Sequence, residues 1–245
     1  GKIRNQGSDD TCVARSFALA REFQEGVLLS EEYIFMSAKR LEGDYTTWGL
    51  DPIIAAKSIK PGILEKSQSP YSFEKDGRDY CANPANWSPS FDALASLHAA
   101  DNYFWVEPQG KIDLFDAIRA SLHSFWEENR VIVVGTNWLH PAWTFADKGI
   151  VPSFSLNKDF TPHAFVIIDW KEIGGKTYLV AQNSLGEDKG DKGLYYFDRL
   201  TVNKFLFALM FKDMPEGLDK EIIIKKSQWV RTGFWGKIVL VLKEL

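Results

Sequence analysis

The residues best suited to chemistry lie in three short segments. The first is Arg4-Asn5-Gln6-Gly7-Ser8-Asp9-Asp10-Thr11-Cys12-Val13-Ala14-Arg15-Ser16-Phe17, which sets a side-chain amide and a Gly-Ser turn ahead of a cysteine and a helix-forming run behind it. A cysteine attacks as its thiolate, so a nucleophilic cysteine needs its pKa lowered. A helix opening at Cys12 would help, because its N-terminal dipole favours negative charge. The second segment, Pro162-His163-Ala164-Phe165-Val166-Ile167-Ile168, starts an apolar strand with a histidine that can pair with a thiol and later protonate a leaving amine. The third, Gln182-Asn183-Ser184-Leu185-Gly186, follows the apolar run Tyr178 to Ala181 and brings a carboxamide able to orient the ring. Each residue also has an ordinary reading. Cys12 is equally a small buried hydrophobe, His163 a core histidine, Asn183-Ser184 a turn and Gln6 a surface residue.

Gln, Cys, His and Asn in this order, with these flanks, resemble the papain family of cysteine peptidases. The likeness covers roughly residues 1 to 212 and is weak from 40 to 110. It implies that Cys12 is the nucleophile, His163 the acid/base and Asn183 its orienter. The oxyanion would be held by the Gln6 side chain and the Cys12 N–H. The implied activity is peptide-bond hydrolysis through an acyl-enzyme, with a peptide or protein as substrate and neither cofactor nor metal. Two other readings remain: a catalytically silent fold that binds peptide or protein in its cleft, and a transpeptidase or amidase using the same site.

The match has departures. Relatives carry Cys-Gly-Ser-Cys-Trp where this chain has Asp9-Asp10-Thr11-Cys12-Val13, and Asn-Ser-Trp-Gly where it has Asn183-Ser184-Leu185-Gly186. Asp9 and Asp10 place negative charge near the thiol, which raises its pKa. Leu185 shields the Asn–His bond less than a Trp would. A slower enzyme with a narrower pH range is expected. Tyr45, Trp48 and Gly49 fall where the family carries its glycine-rich substrate wall, and they are read equally as substrate contacts or core aromatics. Trp138, with His140, Pro141 and Trp143, is expected at the facing rim, and Pro162, which precedes His163, is expected to contact substrate.

Helical signals come first along the chain. They cover residues 11 to about 24, a segment starting at Ser30-Glu31-Glu32-Tyr33, Asp51 to Ile59 stopped by Pro61-Gly62, and Asp113 to about Asn129. Residues 68 to 90, rich in Pro, Ser, Asn and Asp, are expected to be loop. Apolar runs follow at Val131–Val134, Ala164–Trp170, Thr177–Ala181, Gly193–Phe197 and Phe205–Phe211. Helices followed by strands predict an α+β fold with two lobes. The resemblance makes these a helical lobe, about 11–105, and an antiparallel, barrel-like β lobe, about 106–212, with the site in the cleft between them. Residues 213 to 245 form a C-terminal extension, read as a hairpin around Arg231-Thr232-Gly233.

Composition narrows the rest. Of 245 residues, 29 are Lys or Arg and 33 are Asp or Glu, and a net charge of −4 argues against a nucleic-acid partner. No apolar run is long enough to span a membrane. Two cysteines, Cys12 and Cys81, make no disulfide framework, which points to a divergent, disulfide-poor, bacterial-type member and leans towards the cytoplasm. The chain starts almost on the cysteine motif, so an upstream pro-segment removed by processing is expected, or an inhibitor in its place. A monomer is expected.

Overall fold

The computed structural model describes residues 2–100, 102–139, 142–153 and 160–212. The extension at 213–245, with its expected hairpin, and His140 and Pro141 lie outside them.

Helix α1 (Cys12–Glu25) is the axis of the molecule. Residues Cys12 to Glu22 are all buried, which marks a core helix rather than a surface one. Gly26 ends it in the left-handed conformation at φ 74°. Charges buried on α1 are matched. Arg4 Nη1 donates to Glu22 Oε2 at 3.0 Å, Arg15 reaches Glu31 at 3.6 Å and Glu74 at 3.2 Å, and Arg21 pairs with Glu25. Unpaired, such groups would cost several kcal/mol each.

Capping side chains set the next helices. Ser30 accepts from Tyr33 N at 3.1 Å and starts α2 (Glu31–Glu42). Asp51 accepts from Ile53 N and Ile54 N and, with Pro52 in the first turn, starts α3 (Pro52–Ser58). The stretch expected to be loop is instead built of short helices, α4 (Phe73–Asp76), α5 (Arg78–Ala82) and the start of α6 (Ser90–Ala95). The residue types that signal loops also cap single turns: Ser72 accepts from Lys75 N and Asn83 from Ala85 N. Tyr71 and Trp87, edge to face at 5.1 Å, pin this region to Tyr33 of α2.

The second half is one six-stranded antiparallel sheet. Its strands are β1 (Asn102–Trp105), β2 (Ile132–Leu139), β3 (Phe160–Ile173), β4 (Lys176–Gln182), β5 (Leu194–Phe197) and β6 (Phe207–Lys212), in the order β1-β6-β2-β3-β4-β5. The Gly174-Gly175 turn joining β3 to β4 has positive φ at both residues, which glycine tolerates. Helices α7 (Leu114–Ser124) and α8 (Arg199–Val202) accompany the sheet.

The pleat divides the sheet residues between two cores. Val133, Ala164, Val166, Leu209 and Phe211 pack with α1, α2 and α3. Ile132, Val134, Phe165, Ile167 and Met210 pack with α7, Tyr195 and Phe197. Helix α1 therefore sits against the sheet at β3, with α2 and α3 in the same core and α7 on the opposite face of the sheet.

Candidate functional site

Strand β3 and helix α1 meet at Cys12, the first residue of the helix. Cys12 is 9% exposed. Burial pushes its thiol up, and the charge of Asp10 adds to that, while the backbone amides of Ala164, Val13 and Cys12 itself hold it down. The Ala164 contact brings the residue after His163 onto the sulfur. Thr11, at the cap position, makes no side-chain cap bond. Its Oγ1 accepts from Arg15 Nε at 3.0 Å instead. The sequence anticipated the helix start and the acidic neighbour. It did not anticipate that burial is the largest influence on the thiol.

His163 is buried on β3, opposite Thr136 of β2. Its Nε2 lies 2.8 Å from Asn183 Oδ1. The same Oδ1 accepts the backbone N–H of Ser184 at 2.7 Å. A backbone amide can only donate, so the oxygen of Asn183 faces both groups and His163 Nε2 carries the hydrogen. In the neutral ring Nδ1 then holds the lone pair. Asn183 Nδ2 is buried without an acceptor among the described residues.

The imidazole rests on Trp138. The two rings meet edge to face at 5.1 Å, and Trp138 also contacts Trp143, Phe165 and Tyr195. Trp138 is 0% exposed, and its Nε1 donates to Thr144 Oγ1 at 3.0 Å. This corrects the rim placement: a side chain closed off on every side cannot receive substrate, and Trp138 is a core residue behind His163. Leu185, which stands where relatives have Trp, packs partly buried against the same core.

Gln6 reaches this group through backbone pairing. Gln6 N donates to Ser184 O at 2.8 Å and Gly186 N to Arg4 O at 3.0 Å, with Asn5 bridged to Leu185. Two bonds fix the Gln6 side chain: Ser184 Oγ donates to Oε1 at 2.6 Å, and Nε2 donates to Asp9 O at 2.9 Å. The second Nε2 hydrogen is left for another acceptor. Ser184 thus links the Asn183 and Gln6 side chains. The motif contained it, yet its type alone gave no hint of this task.

The expected substrate contacts lie in an exposed loop after α2. Trp48 is 71% exposed, with the Arg78 guanidinium 4.0 Å above its ring, and Tyr45 is exposed as well. They are surface aromatics, not core ones. Gly49 has φ 71°, and the loop is held by Lys39 Nζ donating to Thr47 Oγ1 at 2.8 Å. Pro162 is exposed on β3 beside His163, paired with Asn137. Among the described residues there is no metal-binding cluster, and no helix is long and apolar enough to cross a membrane.

Comparison with known proteins bears on the family and the fold. The family described as papain family cysteine protease matches residues 2–208. A protein described as a cysteine protease from Blomia tropicalis is 21% identical over 223 residues, covering 84% of this chain and 61% of that protein. The chain thus spans about three-fifths of the curated relative it matches. Among solved structures, xylellain, a cysteine protease from Xylella fastidiosa, superposes with a TM-score of 0.69 at 17% identity, covering 88% of this chain and 84% of xylellain. The bromelain protease from Ananas comosus, solved with the E64 inhibitor, gives 0.63 at 16% identity over 87% of this chain and 94% of that one. The α+β, papain-like fold expected from the sequence is the fold observed. With the match extending across nearly all of the described residues, the chain belongs to the papain family of cysteine proteases.

Proposed function

We propose that this chain is a cysteine endopeptidase in which Cys12, His163, Asn183 and Gln6 carry the reaction. The observation that carries this reading is the pair of bonds converging on Asn183 Oδ1, from His163 Nε2 at 2.8 Å and Ser184 N at 2.7 Å. With the hydrogen on Nε2, the lone pair falls on Nδ1, which supports reading that nitrogen as the base.

In this reading a peptide lies across the cleft with its scissile carbonyl over Cys12. The thiol proton passes to His163 Nδ1 as Sγ bonds to the carbonyl carbon. The resulting oxyanion is held by the free Nε2 hydrogen of Gln6 and by the Cys12 N–H. His163, now imidazolium, protonates the amine nitrogen, and the C–N bond breaks to leave a thioester. Water then attacks the thioester carbon and gives its proton to His163. The C–S bond breaks, and the proton returns to sulfur. Asn183 keeps the ring in register throughout, and Trp138 supports it from behind. The raised thiol pKa means that the resting site holds its proton on sulfur more than an exposed cysteine would. The imidazole is therefore required at the moment of attack.

Tyr45, Trp48 and Pro162, which are exposed, and Gly49, which is half-buried beside Trp48, are proposed to contact substrate. The test is digestion of a mixed peptide library read by mass spectrometry, with Cys12→Ala as control. Internal cleavages present in the wild type and absent in the variant are expected. A library left intact by folded wild type overturns the reading.

A further inference from the structure

A cavity of about 10 Å³ lies where the N-terminal segment, helix α1 and the end of β4 meet. That is room for a single water-sized occupant. Its lining includes Lys2, Arg4, Arg15, Gln182, Asn183 and Ser184. Asn183 is 3% exposed. Its Oδ1 is taken by His163 Nε2 and Ser184 N. Its Nδ2, buried and without an acceptor among the described residues, is therefore the end of the carboxamide presented to the cavity. A buried amide left in that state is costly, so the position calls for an acceptor.

The lining is rich in donors and poor in acceptors. Two arginines and a lysine contribute to it, and no carboxylate does. Glu22, Glu31 and Glu74, which pair with Arg4 and Arg15, stand outside the lining. Three of its backbone carbonyls are already engaged: Lys2 O accepts from Gln182 Nε2 at 3.1 Å, Arg4 O from Gly186 N at 3.0 Å and Ser184 O from Gln6 N at 2.8 Å. A water could accept from Asn183, but its own two hydrogens would find few acceptors. A monatomic anion has no hydrogens to place. The volume admits one and excludes a phosphate or a carboxylate ligand.

We propose that this cavity binds chloride, held by the Nδ2 hydrogens of Asn183 and the surrounding cations, and that the bound anion keeps Asn183 Oδ1 turned towards His163. A carboxamide turned over would present its oxygen to the anion, so the anion fixes which end faces the ring. The binding stands on the cavity alone. Its effect on catalysis rests on the site assigned under the proposed function.

Three measurements test this. Bromide, with the same charge and nearly the same size, is the crystallographic probe. Crystals grown in sodium bromide are expected to show an anomalous peak against Asn183 Nδ2, and a cavity without that peak, holding water only, overturns the proposal. The second measurement is thermal unfolding as sodium chloride replaces sodium gluconate at fixed ionic strength. Wild type should gain about 3–5 °C at about ten times the dissociation constant. Asn183→Asp, which turns a carboxylate to the cavity, should gain nothing, and equal gains in the two proteins overturn the proposal. The third follows kcat and KM through the same exchange. Removing chloride should lower kcat by about threefold with KM unchanged, and bromide should restore it. A bromide peak with kcat indifferent to chloride marks an adventitious ion only and overturns the proposal. If no peptide is cleaved in any salt, while the peak and the chloride-dependent stabilisation are present, the anion site stands and the peptidase reading alone fails.

Discussion

The two halves of the site are held in different ways. On the sheet side, His163 is fixed by Asn183 Oδ1, rests on Trp138 and is enclosed by a core of Trp143, Phe165, Tyr195 and Phe197. On the helix side, Cys12 opens α1 without a side-chain cap, beside a carboxylate that has no partner among the described residues. The proposed acid/base is thus pre-positioned by packing. The proposed nucleophile sits where burial and charge both favour the protonated thiol. This contrast suggests that orientation of the imidazole is built into the fold, whereas activation of the thiol waits on its partner.

Loss of the aromatic support should have the largest effect. Trp138→Ala removes a fully buried indole and should lower stability by about 3–5 kcal/mol, read by urea denaturation. A loss under about 1 kcal/mol would mean that the sheet side is not held by this cluster. Gln6→Ala should reduce kcat by about 10²–10³-fold with KM little changed, the pattern for an interaction made only in the transition state. Asn183→Ala should cost about 10²-fold in kcat through misplacement of the ring. Ser184→Ala removes one hydrogen bond to Gln6 and should cost about fivefold, on the scale of about 1 kcal/mol. Combined with Gln6→Ala it should add almost nothing, because the two act as one unit. Additive losses would separate Ser184 from the oxyanion donor.

Much of this was legible from residue types. Helices α2 and α3 begin where helical segments were expected, with Ser30 and Asp51 as their caps, and Cys12 opens α1 as its flanks imply. Strand β1 was missed because Asn102–Trp105 is only four residues long and carries no aliphatic run. Trp138 was misplaced because β2 reads as ending at Val134, where Gly135-Thr136-Asn137 look like a turn. The strand in fact continues to Leu139. Gly135 is there for a tertiary reason: a Cβ would lie 2.0 Å from the Phe207 ring, carried in from β6. Nothing local in the sequence records that contact. The bond from Ser184 to Gln6 likewise depends on pairing between segments 178 residues apart, and that between His163 and Asn183 on the pairing of β3 with β4.

The measurement that bears most directly on the central claim is the pH dependence of Cys12 alkylation in wild type and His163→Ala, read by peptide mass. Cys81 provides an internal contrast, since it is fully buried and its thiol is pushed up to about 12, chiefly by burial. A raised thiol pKa means that thiolate appears only as pH rises through that higher value. Without the imidazole, labelling of Cys12 should move to more alkaline pH than an ordinary thiol near about 8.5, and Asp10→Asn in that background should move it part of the way back. With His163 present to take the thiol proton as the reagent is attacked, labelling at neutral pH should be faster than in His163→Ala. Identical profiles in wild type and His163→Ala would contradict the account, because Cys12 would then react without the histidine that the fold holds in place.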